Sequence, residues 1–136
     1  MPLKVPNTQE VEVLTNRLTP ALTMRLYGND KTPADGDTAA AYTEISGGGY
    51  AALPLTFGNW NIVGGNPSTA TYNATQVWTF TGVIDPPGTI YGYYVTRNSD
   101  GALMWAERFP AANVPFGPVN GSVVRVLPRY TAQSQF

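Results

Sequence analysis

Three aspartates, Asp30, Asp35 and Asp37, lie close together in the stretch NDKTPADGDT. Carboxylates at this density can bind a calcium ion, which prefers oxygen ligands. The stretch lacks the spacing of an EF-hand and the glutamate that such a loop carries at its twelfth position. Because turns use Asp, Asn, Gly and Pro to satisfy their own backbone, we interpret the stretch as a solvated loop and predict no metal site.

The other carboxylates offer little for acid–base catalysis. Glu44 and Asp85 are isolated in the sequence. Glu107 and Arg108 are adjacent in a predicted strand, where neighbouring side chains face opposite sides of a sheet, so they cannot act as a pair. The chain has no histidine and no cysteine, which removes the usual general base near neutral pH and a thiolate nucleophile. We therefore predict no catalytic residues, no cofactor and no enzymatic activity, and rank a carboxylate-dependent polysaccharide-degrading activity last.

The chain is unusually poor in charge. Charged residues make up 12% of it and the net charge is −1, whereas about 25% is typical of globular domains. It has no basic run that would attract nucleic acid and no apolar run approaching the roughly 18 residues of a membrane span. The opening MPLKVPNTQE lacks the apolar stretch of a secretory signal, so we expect synthesis in a cytosol. So little charge favours a protein that packs against partners.

Short apolar runs separated by glycine and proline predict an all-β chain. About eight strands follow one another at spacings of roughly ten residues, which favours a single antiparallel β-sandwich or a jelly-roll-like domain. The segment before them differs, because Asn7 and Glu10 fit a capping box and leucines follow at helical spacing. This pattern predicts a short helix over residues 8–18, with an extended arm as the alternative. The predicted divisions are an N-terminal arm or helix (1–20), the β-domain (21–130) and a C-terminal tail (131–136).

The stretch TIYGYYVTRNSDGALMWAERFP predicts a β-hairpin whose turn lies within residues 98–101 and has two or four residues. Both arms carry apolar side chains on both faces, so we expect both faces to be covered. Strict alternation along the second arm places its side chains on two opposite faces. One face carries Leu103, Trp105 and Phe109, and the other carries Met104 and Ala106. The three tryptophans are predicted to lie in the core or at a subunit interface. Alternatively, Trp60 and Trp105 form an exposed platform on which a sugar ring stacks.

Several motifs follow one another in a distinctive order, namely RLYGNDKTP, GYAA, YGYYVT…GALMWAERF and a basic, proline-containing last strand, VVRVLPR. In this order the chain resembles the small structural proteins that tailed bacteriophages encode near their capsid genes. The resemblance covers most of the chain and brings no catalytic motif with it.

The resemblance implies a virion protein, and first a capsid decoration (cement) protein on the capsid surface. Such a protein is expected to be a homo-oligomer, with a trimer favoured, that stabilises the head by binding across subunits of the major capsid protein. The alternatives are a tail or adhesin component, or a carbohydrate-binding β-sandwich module for host attachment. Partner contacts are expected in arms at the two ends of the chain, at Leu3, Val5, Tyr130 and Phe136.

Overall fold

The computed structural model describes residues 6–65 and 67–132. Within these residues the chain is mostly β, with one α-helix and nine strands. The helix is α1 (Asn7–Leu18); the strands are β1 (Leu22–Tyr27), β2 (Leu53–Leu55), β3 (Trp60–Val63), β4 (Ser68–Tyr72), β5 (Gln76–Thr79), β6 (Gly92–Arg97), β7 (Leu103–Arg108), β8 (Val123–Val126) and β9 (Arg129–Ala132). No helix in the described part of the chain is long and apolar enough to cross a membrane.

The strands of the described chain form three antiparallel sheets. Their orders are β2–β1–β6–β7, β3–β4–β9 and β5–β8. The prediction of an antiparallel, mostly β chain with a short N-terminal helix is confirmed. The predicted start of a C-terminal tail at residue 131 falls inside β9, which pairs with β4 as far as Ala132.

The N-terminal segment is a packed helix, so an extended arm is the wrong description of residues 7–18. Leu14 and Leu18 are fully buried, and α1 packs against β3, β4 and β9. The N-cap is Pro6, without a side-chain cap, so the predicted capping by Asn7 is wrong by one residue. Glu10 is 3% exposed and accepts a hydrogen bond from Ser68 Oγ (3.1 Å), which ties the first turn of the helix to β4.

Both faces of the β6–β7 hairpin are covered, as expected. Tyr93 and Val95 face the main hydrophobic core, where the leucines of α1 also lie. Tyr94 faces the opposite way, into a second cluster that we call the tyrosine cluster and that consists of Tyr27, Tyr42 and Tyr94. Their rings contact one another at centroid distances of 5.0 to 6.4 Å, so the hairpin lies between two apolar layers.

The hairpin has a four-residue turn, which is one of the two predicted lengths. It also has a bulge, which the sequence pattern did not predict. The Arg97 N–H donates to the Ala102 carbonyl (2.9 Å), which closes the turn. Val95 pairs with Trp105 and Thr96 with Leu103, so Met104 is an extra residue on β7. As a result Met104 packs with Trp105 against the main core, while Leu103 packs with Ala106 against the tyrosine cluster. The predicted faces are therefore wrong for Leu103 and Met104, because an extra residue breaks strict alternation.

Gly92 is required where β6 passes under the tyrosine cluster. A Cβ atom at this position would collide with the Glu107 carbonyl and lie 2.7 Å from the Tyr27 ring. Overpacking of this kind costs on the order of 1–3 kcal/mol. We therefore expect Gly92→Ala to lower the free energy of unfolding by at least that amount in urea denaturation.

The matched control is Gly58→Ala, since a Cβ at Gly58 meets no atom within 4 Å. It should change the free energy of unfolding by no more than about 0.5 kcal/mol. Equal stability of the two variants would contradict the close approach of Tyr27 to Gly92.

Candidate functional site

The candidate residues from the sequence fall into three groups. Leu3, Val5 and Phe136 lie outside the described residues. Tyr130 lies on β9, half-buried, with its ring 4.9 Å from that of Trp105. Trp60 is only 9% exposed, so it cannot serve as the exposed platform considered for it.

Trp60, Trp105 and Tyr130 form a continuous aromatic contact between two sheets. The rings of Trp60 and Trp105 meet edge-on at 6.1 Å, and Trp60 meets Tyr72 in the same way at 5.0 Å. Aromatic pairs in this geometry are worth about 0.5–1.5 kcal/mol beyond the area they bury. This aromatic contact fixes β7 against β3, β4 and β9, and it leaves only part of Trp105 accessible.

The accessible part of Trp105 lines a cleft that we call the acidic cleft. It has a volume of about 320 Å³ and is lined on one side by Pro33, Ala34, Asp35, Asp37 and Tyr42, and on the other by Leu103, Met104, Trp105 and Ala106. Four consecutive residues of β7 line it, so the cleft runs along the edge of the strand and not over one of its faces. Among the described residues β7 pairs only with β6, and no described strand covers this edge.

The aspartate loop that forms the other wall is held by its own carboxylates. Asp37 Oδ1 pairs with Lys31 Nζ (2.9 Å), and its Oδ2 accepts hydrogen bonds from the Ala34 N–H and the Tyr42 hydroxyl (both 2.8 Å). Asp30 pairs with Arg108 of β7 (2.6 Å). Asp35 is exposed. The described residues hold no group of three or more acidic, histidine or cysteine side chains arranged to bind a metal ion.

A second cleft, which we call the apolar cleft, runs along β8. It has a volume of about 550 Å³ and is lined by Phe109, Pro110, Ala112, Asn113, Val114, Pro115, Phe116, Val123, Val124 and Arg125. In residues 6–65 and 67–132, β8 pairs only with β5, so its other edge faces this cleft without a described partner strand. Arg125 is exposed and is not in an ion pair with any described residue.

The hydrogen-bond pattern shows which groups of β8 face the apolar cleft. The Phe80 N–H donates to the Ser122 carbonyl (2.8 Å), and the ladder continues through Thr79 opposite Val123. Antiparallel pairs alternate between hydrogen-bonded and non-hydrogen-bonded. The backbone N–H and C=O groups of Val123 and Arg125 therefore point away from β5, toward the cleft.

The two carboxylates that are isolated in the sequence, Glu44 and Asp85, have structural partners. Glu44 Oε1 pairs with Arg25 (2.9 Å), and its Oε2 accepts a hydrogen bond from the Tyr50 hydroxyl (2.7 Å). Burial, together with this hydrogen bond to Glu44, raises the pKa of Tyr50 well above its ordinary value. Asp85 accepts a hydrogen bond from Ser46 Oγ (2.9 Å). These groups hold loops and strands in place.

Neither cleft could be found from the sequence. The aspartate loop is visible as a motif, but its position beside β7 depends on the Arg108–Asp30 ion pair, which joins residues far apart in the chain. Open strand edges leave no local signal either, since they depend on which strands pair. Each cleft borders a strand edge that no described strand pairs with, and the apolar cleft adds a mostly apolar wall, a combination suited to docking an extended polypeptide.

The hydrogen bonds that Asp37 accepts lead to a prediction about stability at low pH. The hydrogen bond from Lys31, and then those from Ala34 and Tyr42, lower the pKa of Asp37 from 3.8 to about 2. Because the folded pKa lies below the unfolded one, the stabilisation is fully present above the unfolded value and is lost as the pH falls through about 2. Asp37→Asn should therefore lower the melting temperature at neutral pH and reduce its decline in acid.

The measurement is the melting temperature by circular dichroism from neutral pH down to about pH 2. Asp35→Asn removes a neighbouring carboxylate that has no hydrogen-bond partner among the described residues, and it controls for the loss of charge. Parallel curves for wild type and Asp37→Asn would mean that Asp37 does not hold the loop.

Comparisons with known proteins gave no match: no family model, no curated protein and no solved structure corresponds to this chain.

Proposed function

We propose that this protein is a structural component of a tailed-bacteriophage virion, and specifically a capsid decoration protein that binds across subunits of the major capsid protein. The observation that carries the proposal is the open edge of β8 along the apolar cleft. Unpaired backbone groups in an apolar groove are suited to receiving an extended capsid arm or loop as an added strand. The order of sequence motifs that resembles such phage proteins supports the same assignment.

The composition supports a role in assembly. Four ion pairs within the described residues already use Arg25, Lys31, Arg97 and Arg108, in a chain with only eight basic residues. Few charges therefore remain to hydrate the surface, and large apolar side chains such as Val63, Val83 and Val119 are more than half exposed. A surface with so little charge favours a protein that packs against partners.

The architecture inferred for this function is one β-sandwich built from the three sheets. The main core contains residues from all three, among them Met24 of β1, Ala70 of β4 and Trp78 of β5. A rigid body of this kind can engage several capsid subunits at once. Contacts that are individually weak then combine into strong binding, because the later contacts form within one complex.

The test uses capsids of the phage that encodes this chain, prepared with and without the protein. Heads that lack it should release their genome at a lower temperature, since a ligand that binds only the assembled shell stabilises that shell. Adding the purified protein back should restore the release temperature. Equal release temperatures with and without bound protein would refute a decoration role.

A variant pair tests docking through the edge of β8. Val123→Pro removes an N–H that points into the cleft, and an edge strand tolerates proline at such a position. The variant should keep its melting temperature while its affinity for bare capsids falls by about tenfold or more, the cost of a lost hydrogen bond and a blocked edge. Val123→Ala is the control, because it shortens the side chain but keeps the donor. If both variants bind like wild type, capsid docking does not use this edge.

The second candidate is a tail or adhesin component that binds carbohydrate. The observation in its favour is the acidic cleft, where the half-buried ring of Trp105 lies beside Asp35 and could stack against a sugar while the carboxylate accepts hydrogen bonds from hydroxyl groups. Binding on a glycan array that is lost with Asp35→Asn, in a variant of unchanged melting temperature, would favour this function. No binding to any bacterial surface glycan would count against it.

A further inference from the structure

The acidic cleft has features of a site at which an extended strand can dock. Its floor is the open edge of β7, and the pattern of hydrogen bonds identifies the groups that face it. The Phe109 N–H donates to the Tyr91 carbonyl (2.9 Å), and Gly92 is opposite Arg108 and Tyr94 opposite Ala106. By the alternation of an antiparallel ladder, the backbone groups of Ala106 and Arg108 point away from β6.

The walls of the cleft specify the chemistry of what binds there. The exposed lining is mostly polar: the facing loop supplies two carboxylates, and Leu103, Met104 and Trp105 supply a small apolar wall. The oxygens of Asp37 are already engaged by Lys31, Ala34 and Tyr42. Asp35 is exposed and unpaired among the described residues, so it is the carboxylate that remains for an incoming cation.

The chain itself contains a segment of matching chemistry outside the described residues. The sequence that precedes Pro6 is MPLKV, in which Lys4 stands between Leu3 and Val5. If such a segment is extended, its two aliphatic side chains lie on one side and the lysine on the other. It therefore combines two side chains for the apolar wall with one cation for Asp35.

The distances favour a segment that comes from a second copy of the chain. Asn7 lies beside the β3–β4 turn, since a Cβ atom on Gly64 would be 3.8 Å from the Asn7 Cβ. The backbone of Lys4 can extend roughly 10 Å from Asn7. The strand between that turn and Trp60 covers roughly 13 Å, and the cleft lies further away, beyond the Trp60–Trp105 contact of 6.1 Å. A segment from a neighbouring copy is not limited by the distance between the cleft and Asn7 of the same chain.

We propose that residues 1–5 of one copy dock along β7 of another, with Lys4 paired with Asp35. The contact is heterologous, because the segment and the cleft are different surfaces of the same chain, and it closes into a ring when the rotation between copies allows. It depends on neither the capsid nor any glycan.

Charge reversal in two chains tests the proposal. Sedimentation equilibrium of the purified protein at low ionic strength should show self-association. Lys4→Glu and Asp35→Lys should each weaken it by about tenfold or more, because each places like charges opposite one another. Circular dichroism of both variants should match wild type, since the two side chains are not part of the described core.

Mixing the two variants separates docking between copies from docking within one. In an equimolar mixture, the unchanged Lys4 of one variant meets the unchanged Asp35 of the other. In the reverse direction the introduced glutamate meets the introduced lysine, so association should return. A single chain that carries both substitutions should also associate.

Two kinds of result would overturn the proposal. Failure of association to return in the equimolar mixture would exclude docking between copies, because that mixture restores a Lys4–Asp35 pair across two chains. A monomeric wild type, or single variants that associate like wild type, would rule out docking between copies through this pair.

Discussion

The contact of Trp105 with Trp60 and Tyr130 holds the two larger sheets together. Trp105 is on β7, at the edge of the four-stranded sheet, while Trp60 and Tyr130 lie on the two outer strands of the three-stranded sheet. Small sheets bury little apolar area by themselves and need to pack against another layer. The aromatic contact supplies that layer for both sheets, and it sets where β7 lies relative to the loops around it.

The bulge at Met104 allows β7 to contribute side chains to this aromatic contact and to the tyrosine cluster at the same time. Without an extra residue, Leu103 would share a face with Trp105. With it, Met104 and Trp105 face the main core while Leu103 packs against the tyrosine cluster. The bulge also bends the exposed edge of β7, and bulges commonly prevent uncontrolled pairing of edge strands. In this protein the bulged residue itself lines the acidic cleft.

The edge strands differ in how they are protected against pairing with another strand. This difference distinguishes edges that are candidate docking sites from edges that are blocked. β2 is only three residues long and carries Pro54 at its centre, which are two recognised ways of blocking an edge. β7 and β8 lack an internal proline and are instead bordered by loops that leave a cleft along each strand. One cleft has aspartates in its wall and the other has an arginine. The clefts along these two edges therefore differ in the charge of their lining.

Local patterns in the sequence predicted most elements of this fold, with about eight strands expected where the described residues form nine. Alternation and turn residues specify the strands, the helical spacing of Leu14 and Leu18 specifies α1, and a hairpin with apolar residues on both faces implies two covered faces. These features depend on residues close together in the chain, so a short window of sequence contains the information.

Other features were out of reach because they depend on residues far apart in the chain. Examples are the identity of the rings that pack against Trp60, the bulge at Met104, and the ion pair that joins Asp30 to Arg108 of β7. Sequence periodicity shows which side chains lie on the same side of a strand. The packing of the sheets, in contrast, decides which strand edges stay open and which carboxylates border them.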